Sequence, residues 1–194
     1  LDTTYFLYGV DTNSCSNVDS IFISINQLPI INAGNDRQIC IGASTLLIAQ
    51  GAEVYEWSPT NGLSSTSNDS TFASPIDTTT YIVKGTDTNS CINQDTITVI
   101  VNPLPIVEAG NDTIICKSSA ILIGGNPSGP EGSFFSWSPS VFLDDNSLGN
   151  PTSNTDISLT YFLTVIDTNS CLNTDRDRKS TRLNSSHLVI SYAV

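Results

Sequence analysis

Thr79-Thr-Tyr-Ile-Val-Lys-Gly-Thr-Asp-Thr-Asn-Ser-Cys-Ile-Asn-Gln-Asp-Thr-Ile-Thr-Val-Ile-Val101 is the stretch that decides the fold. Thr80 to Thr86 alternates between apolar and polar side chains, and Thr96 to Val101 alternates again. Asp87 to Ser90 between them is a run of turn formers. Strict alternation on both sides of such a run predicts two antiparallel strands joined by a tight turn. The same cadence returns elsewhere. Asp-Thr-Asn-Ser-Cys occurs three times, ending at Cys15, Cys91 and Cys171, and Thr-Tyr precedes each copy, at Tyr5, Tyr81 and Tyr161.

Further motifs fix a period. Ala-Gly-Asn-Asp-x-x-Ile-Cys ends at Cys40 and Cys116, and Trp-Ser-Pro starts at Trp57 and Trp137. Cys15 to Cys91 and Cys40 to Cys116 are each 76 residues apart, while Cys91 to Cys171 and Trp57 to Trp137 are 80. The four extra residues therefore lie between Cys116 and Trp137. Asn126-Pro-Ser-Gly-Pro-Glu-Gly-Ser133 reads there as a lengthened loop, which costs little closure entropy.

Residues 1–28 are then the C-terminal hairpin of one repeat, 29–104 a complete repeat, and 105–176 a repeat lacking its last strand. The seams Asn26-Gln-Leu-Pro29 and Asn102-Pro-Leu-Pro105 are short and carry proline, as semi-rigid linkers do, so the repeats are expected to form a rod.

The composition agrees. Ser, Thr and Asn make 67 of 194 residues, and Val, Ile and Thr make 54. That favours strands and turns over helices. An apolar fraction of 39% suffices for a core. A net charge of −12 argues against nucleic acid and anionic membranes as partners. No apolar run approaches the length of a bilayer span, so no membrane insertion is expected within this segment. The chain opens without Met or a basic-then-apolar leader, which places any export signal upstream of Leu1.

Within the complete repeat, strands are expected at about 30–39, from Thr45 to Ala49, at Val54–Trp57, at Ser70–Ala73 and in the two arms of the hairpin. Asn61-Gly62 is a strong turn signal. Six or seven short strands with turns between them predict an all-β antiparallel sandwich. Trp57, Trp137, Tyr81 and Tyr161 are expected in its core rather than as exposed sugar-stacking platforms.

Ala33-Gly-Asn-Asp36, Ile39-Cys-Ile-Gly42, Tyr55-x-Trp57-Ser-Pro59, Thr79-Thr-Tyr81, Asp87 to Cys91 and Asp95-Thr-Ile-Thr-Val99 form an ordered set. Together they resemble the immunoglobulin-like, PKD-like tandem repeats of Bacteroidota cell-surface proteins, including gliding-associated adhesins and large secreted proteins. The resemblance covers residues 1–176. It implies an extracellular, non-catalytic repeat region. Ser90 departs from the family's pattern, where glycine is common before the cysteine, and this leaves the turn type open.

Beyond Arg176 the character changes. Residues 177–187 match nothing in the other repeats and resemble the in-frame translation of a sequencing adapter, with Leu188-Val189 as an index and 190–194 as its continuation. Such a tail is excluded from fold reasoning. Without it, residues 1–176 hold 18 acids and 4 bases and no histidine. A repeat cut at Arg176 would expose its penultimate strand as an unpaired edge, onto which Leu188 to Val194 could dock.

Repeat-locked cysteines in a small exported domain suggest disulfides. The simplest pairing is Cys40–Cys91 and Cys116–Cys171, leaving Cys15 single. A simple sandwich, however, puts a first-corner cysteine and a last-hairpin cysteine at opposite ends. Three outcomes stay open: that pairing, a Cys40–Cys171 bridge between adjacent units, or free buried thiols.

No chemistry stands out. Without histidine there is no Ser-His-Asp or Cys-His arrangement. Zinc-type spacing and a phosphate loop are absent from the sequence. Asp144-Asp145 and Glu53/Glu56 could suggest glycosidase carboxylates, but they are not placed equivalently in the two repeats. No cofactor is implied. Calcium is the one ion left open, with Asp36, Asp87, Asp112 and Asp167 as recurrent candidates. The same aspartates could simply serve turns. Sequons at Asn68 and Asn111 carry little weight.

The expected role is a structural and adhesive stalk, secreted or on the cell surface. Its partners would be other repeats of the same chain and extracellular glycan or protein surfaces. The alternative is an accessory module of a secreted hydrolase, for instance a carbohydrate-binding one, which an exposed line of aromatics would favour.

Overall fold

A computed structural model of the chain describes residues 2–117 and 119–182. All fourteen elements among the described residues are strands, and the chain divides into two compact units at Ile100/Val101. The first unit opens with β1 (Thr3–Val10) and β2 (Ser16–Ile23), an antiparallel hairpin in register from Thr3↔Ile23 to Val10↔Ser16. Its residues are exposed on both faces.

The complete repeat follows with β3 (Arg37–Cys40), β4 (Thr45–Ile48), β5 (Val54–Ser58), β6 (Ser70–Ala73), β7 (Thr79–Thr86) and β8 (Ile92–Asn102). One sheet has the order β3-β8-β7-β5, and β4 pairs with β6 in the other. The β7–β8 hairpin is the longest pairing, running from Thr79↔Val99 to Thr86↔Ile92. Its alternation buries Tyr81, Val83, Ile97 and Val99 on one face. Trp57 on β5 joins that face, and Leu47, Thr71 and Ala73 are the buried positions of the second sheet. The Asn61-Gly62 turn forms as expected. Gly62 has φ +78, and a Cβ there would lie 2.9 Å from the Pro75 nitrogen.

The second unit repeats this plan with β9 (Thr113–Cys116), β10 (Ile121–Leu122), β11 (Phe134–Ser138), β12 (Thr152–Ser153), β13 (Leu159–Ile166) and β14 (Leu172–Arg182). Its sheets have the orders β9-β14-β13-β11 and β10-β12. The core is one cluster of Ala109, Ile123, Trp137, Tyr161, Leu163 and Val165. Each unit is therefore an immunoglobulin-like antiparallel β-sandwich, and in the second β9 adds one parallel edge strand. The lengthened loop at 126–133 is partly internal, with Ser128 buried and its carbonyl accepting from the Glu108 amide.

Two expectations need correction. The first strand does not run over 30–39. Gly34 at φ +82 turns the chain, Asn32 makes a single bridge to Gln50, and strand geometry begins at Arg37. The third repeat also does not lack its last strand. Residues 177–182 extend β14, which pairs with β13 as far as Lys179 and with β9 from Lys179 to Arg182. Main-chain hydrogen bonding is indifferent to side-chain identity, so this segment completes the ladder whatever its origin. Docking of Leu188 to Val194 falls outside the described residues.

At one place the two cores exchange volume between neighbouring positions. Gly85 stands on β7 where Val165 stands on β13, and Ile31 stands where the second unit has Val107. A Cβ on Gly85 would lie 2.3 Å from Ile31 Cδ1 and 2.7 Å from Ala52 Cβ. Gly85→Val should therefore destabilise the first unit by about 1–3 kcal/mol through overpacking. Adding Ile31→Val should recover part of that loss, a coupling that a double-mutant cycle in denaturant would measure.

Candidate functional site

The residues that recur with chemical potential gather on the β7–β8 hairpin and its counterpart. In the turn, the Asp87 carboxylate accepts from the backbone amides of Asn89 and Cys91, each at 2.8 Å. Asp11 and Asp167 do the same at their own turns. The residue before each cysteine, Ser14, Ser90 or Ser170, has φ between 62° and 64°. That left-handed position is where glycine is comfortable, which settles the turn type that the serine had left open.

A second set was missed by sequence reasoning. Asn93 Nδ2 donates to the Pro29 carbonyl (2.9 Å), and Asp95 Oδ2 accepts from the Ala33 amide (2.8 Å). Further along, Asp36 Oδ1 accepts from the Thr98 amide (2.8 Å). The second unit repeats all three contacts: Asn173 to Pro105, Ala109 to Asp175, and Arg178 to Asp112, each at 2.9 Å. These clamps fasten the incoming segment of each repeat alongside its last strand. A signal was available, because Asn-x-Asp follows every Cys of the pentapeptide, at Asn17/Asp19, Asn93/Asp95 and Asn173/Asp175.

The aromatic residues lie where the sequence put them. Trp57 and Trp137 are 1% exposed, and their indole N–H groups donate to the carbonyls of Asn68 and Leu148 at 2.9 Å. Tyr81 donates to the Asn61 carbonyl, while Tyr161 meets the Val141 carbonyl and the Ser153 hydroxyl. Burial raises the pKa of both phenols.

The calcium candidates are not brought together. Asp36 and Asp112 act as edge clamps, and Asp87 and Asp167 organise turns. Among the described residues no group of three or more His, Cys, Asp or Glu side chains could hold a metal. Asp144 accepts from the Thr152 and Asp145 amides, and Asp145 from Ser147. These hydrogen bonds lower both pKa values, so the pair behaves as two ionised loop carboxylates. Glu56 reaches only an exposed Lys84, at 3.7 Å. His187 lies outside the described residues.

One ionic pair is internal. Asp177 is 0% exposed and Lys179 2%. Lys179 Nζ donates to Asp177 Oδ1 (2.8 Å) and to the Asn111 carbonyl (2.9 Å). Asp177 Oδ2, 2.6 Å from the same nitrogen, makes no hydrogen bond. Burial raises the Asp177 pKa, and the neighbouring ammonium only partly offsets it. In the complete repeat these two positions are Ile97 and Val99.

The cysteines correct the simplest pairing. Cys15, Cys91 and Cys116 are free thiols, so neither bridge of that pairing forms. The register gives the reason. Cys116 sits opposite Arg182, eleven residues beyond Cys171 along β14. At about 3.3 Å per residue that is roughly 36 Å, whereas a disulfide needs Cα atoms within about 7 Å. The clamps give β3 the same direction along β8, since residues 29, 33 and 36 meet 93, 95 and 98 in turn. Cys40 is separated from Cys91 in the same way.

No family model matches the chain, and no curated protein is similar to it. Solved structures similar to it are multidomain. Extracellular domains 3–5 of Drosophila OTK share 11% identity, with 92% of this chain and 70% of that chain covered and a TM-score of 0.43. The titin I-band fragment I67–I69 shares 11%, covering 82% and 67%, with a TM-score of 0.44. The insect immune protein hemolin shares 9%, covering 93% and 56%, with a TM-score of 0.42.

Two outcomes follow from the turn and the buried pair. Ser90→Gly should stabilise the first unit by about 0.5–1 kcal/mol by relieving the left-handed serine, read as a higher denaturant midpoint at unchanged slope. Asp177→Ile alone should cost the second unit about 3–5 kcal/mol by stranding the Lys179 ammonium. Asp177→Ile with Lys179→Val should instead be neutral or stabilise by about 1–4 kcal/mol. Equal effects of the single and double variants would show that the pair is not coupled.

Proposed function

We propose that the chain is a non-catalytic structural and adhesive repeat region of a secreted or cell-surface bacterial protein, serving as a stalk or a display for binding surfaces. One observation carries this reading. The side chains that recur between repeats — Asp36, Asp87, Asn93, Asp95, Trp57, Tyr81 and their counterparts — are spent on holding each sandwich together. Net negative charge suits a stalk, because it keeps copies soluble and apart.

The alternative, a carbohydrate-binding accessory module, calls for an aromatic platform that recurs with the repeat. Within the two repeats the exposed aromatics are Phe72, Phe134, Phe142 and Phe162. Their counterparts are Thr152, Val54, Gly62 and Ile82, so none recurs. Residues 177–194 are read as foreign to the array. The buried Asp177–Lys179 pair in place of Ile97 and Val99 supports this, since a core position that is apolar in one repeat has become charged in the next.

The test uses the two buried indoles as reporters. The melting temperature should be the same in chelator and in millimolar calcium. Tryptophan fluorescence should not respond to millimolar soluble glycans. A calcium-dependent rise in melting temperature, or saturable glycan quenching, would move the assignment to a ligand-binding module.

A further inference from the structure

The outward face of the β1–β2 hairpin differs from its counterparts. A shift of 76 residues carries the hairpin onto β7–β8. Tyr5, Leu7, Ile21 and Ile23 then correspond to Tyr81, Val83, Ile97 and Val99, the buried face of the complete repeat. Side chains alternate along a strand, so the opposite face is the outward one. On β7–β8 that face carries Lys84, Gln94 and Thr98, and on β13–β14 it carries Thr164, Thr174 and Arg178. On the hairpin the same places hold Tyr8, Val18 and Phe22. Phe6 and Val10 extend the patch, and Phe6 is 60%, Tyr8 73% and Phe22 64% exposed. Polar residues on a solvent face need no explanation, whereas a contiguous apolar patch marks an interaction surface.

We propose that this face binds the same face of a second copy of the chain, so that adhesion is homophilic. Three observations point to a second copy. The face carries no charged residue, since Asp19 pairs with Leu7 on the opposite side. In a chain of net charge −12, two copies meet there without opposing carboxylates. The relief is also self-complementary. The register sets a large side chain beside a smaller one on successive rungs: Phe22 with Thr4, Phe6 with Ser20 and Tyr8 with Val18. A two-fold axis along the strands lays β1 of one copy over β2 of the other, so each large side chain faces the smaller one of the same rung. The area suffices as well. The three aromatics and two valines expose roughly 500–600 Å² per copy, so a pair buries roughly 1,000–1,200 Å², the lower range of specific interfaces. The dimer is therefore weak and reversible. It supplies a partner for the adhesive role proposed above and rests on that reading for its meaning. The calcium and glycan measurements decide that reading, and the measurement below decides the dimer.

Sedimentation of the full chain is the test, in reductant so that the thiols of Cys15, Cys91 and Cys116 cannot cross-link copies. A concentration-dependent dimer is expected. Salt should strengthen it, because screening relieves repulsion between acidic copies. Phe22→Thr should weaken it by roughly tenfold, and Tyr8→Lys with Phe22→Thr by more. Both changes install residues that the complete repeat carries at the same places. Protection of the Cys15 amide, held by Asp11, shows that the hairpin of each variant is folded. Leu7→Ser, on the opposite face, should leave the dimer unchanged. A chain that stays monomeric at high concentration and high salt would overturn the proposal. So would a dimer that Leu7→Ser abolishes, or one that Tyr8→Lys with Phe22→Thr leaves intact, because association would then run through another surface.

Discussion

The carboxylate of Asp87, holding the amides of Asn89 and Cys91, sets the register on which the rest of the repeat depends. With the turn fixed, Tyr81, Val83, Ile97 and Val99 face inward together. A slip of one residue would send all four to solvent, because side chains alternate strictly along a strand. The inward face then takes Trp57, and its indole finds the Asn68 carbonyl. The outer edge of β8 takes the clamps, so the incoming segment is anchored before β3 begins. The second unit obeys the same order through Asp167.

This economy explains why no reactive constellation emerges. An aspartate whose Oδ1 accepts two backbone amides at a turn is held by its own loop, and among the described residues no further acids gather round it to form a metal site. Tyr81 and Tyr161 are held protonated by burial. Asp144 and Asp145 lie in one loop, and their hydrogen bonds lower both pKa values. What recurs is mechanical.

Much of this was legible in the residues. The alternation around Asp87 gave the hairpin, and the doubled motifs gave the period, the insertion and the core aromatics. Non-local contacts were not legible. Asn93 and Asp95 carry no local sign of their role because their partners, Pro29 and Ala33, are more than 60 positions away. The simplest cysteine pairing followed nearness in sequence, and the difficulty already raised against it is real, because the parallel edge strand places those cysteines at opposite ends. Strand β14 ran past Arg176 because a ladder is built from backbone, which composition does not reveal.

Amide hydrogen exchange on the full chain tests the central claim, that the recurrent acids are structural clamps. The amides of Ala33, Thr98 and Cys91 donate to side-chain carboxylates of Asp95, Asp36 and Asp87. The account predicts that these three exchange as slowly as the strand amides of β7 that pair with β8. Exchange at the rate of open loops would contradict it, and the recurrent aspartates would again be free to serve a ligand.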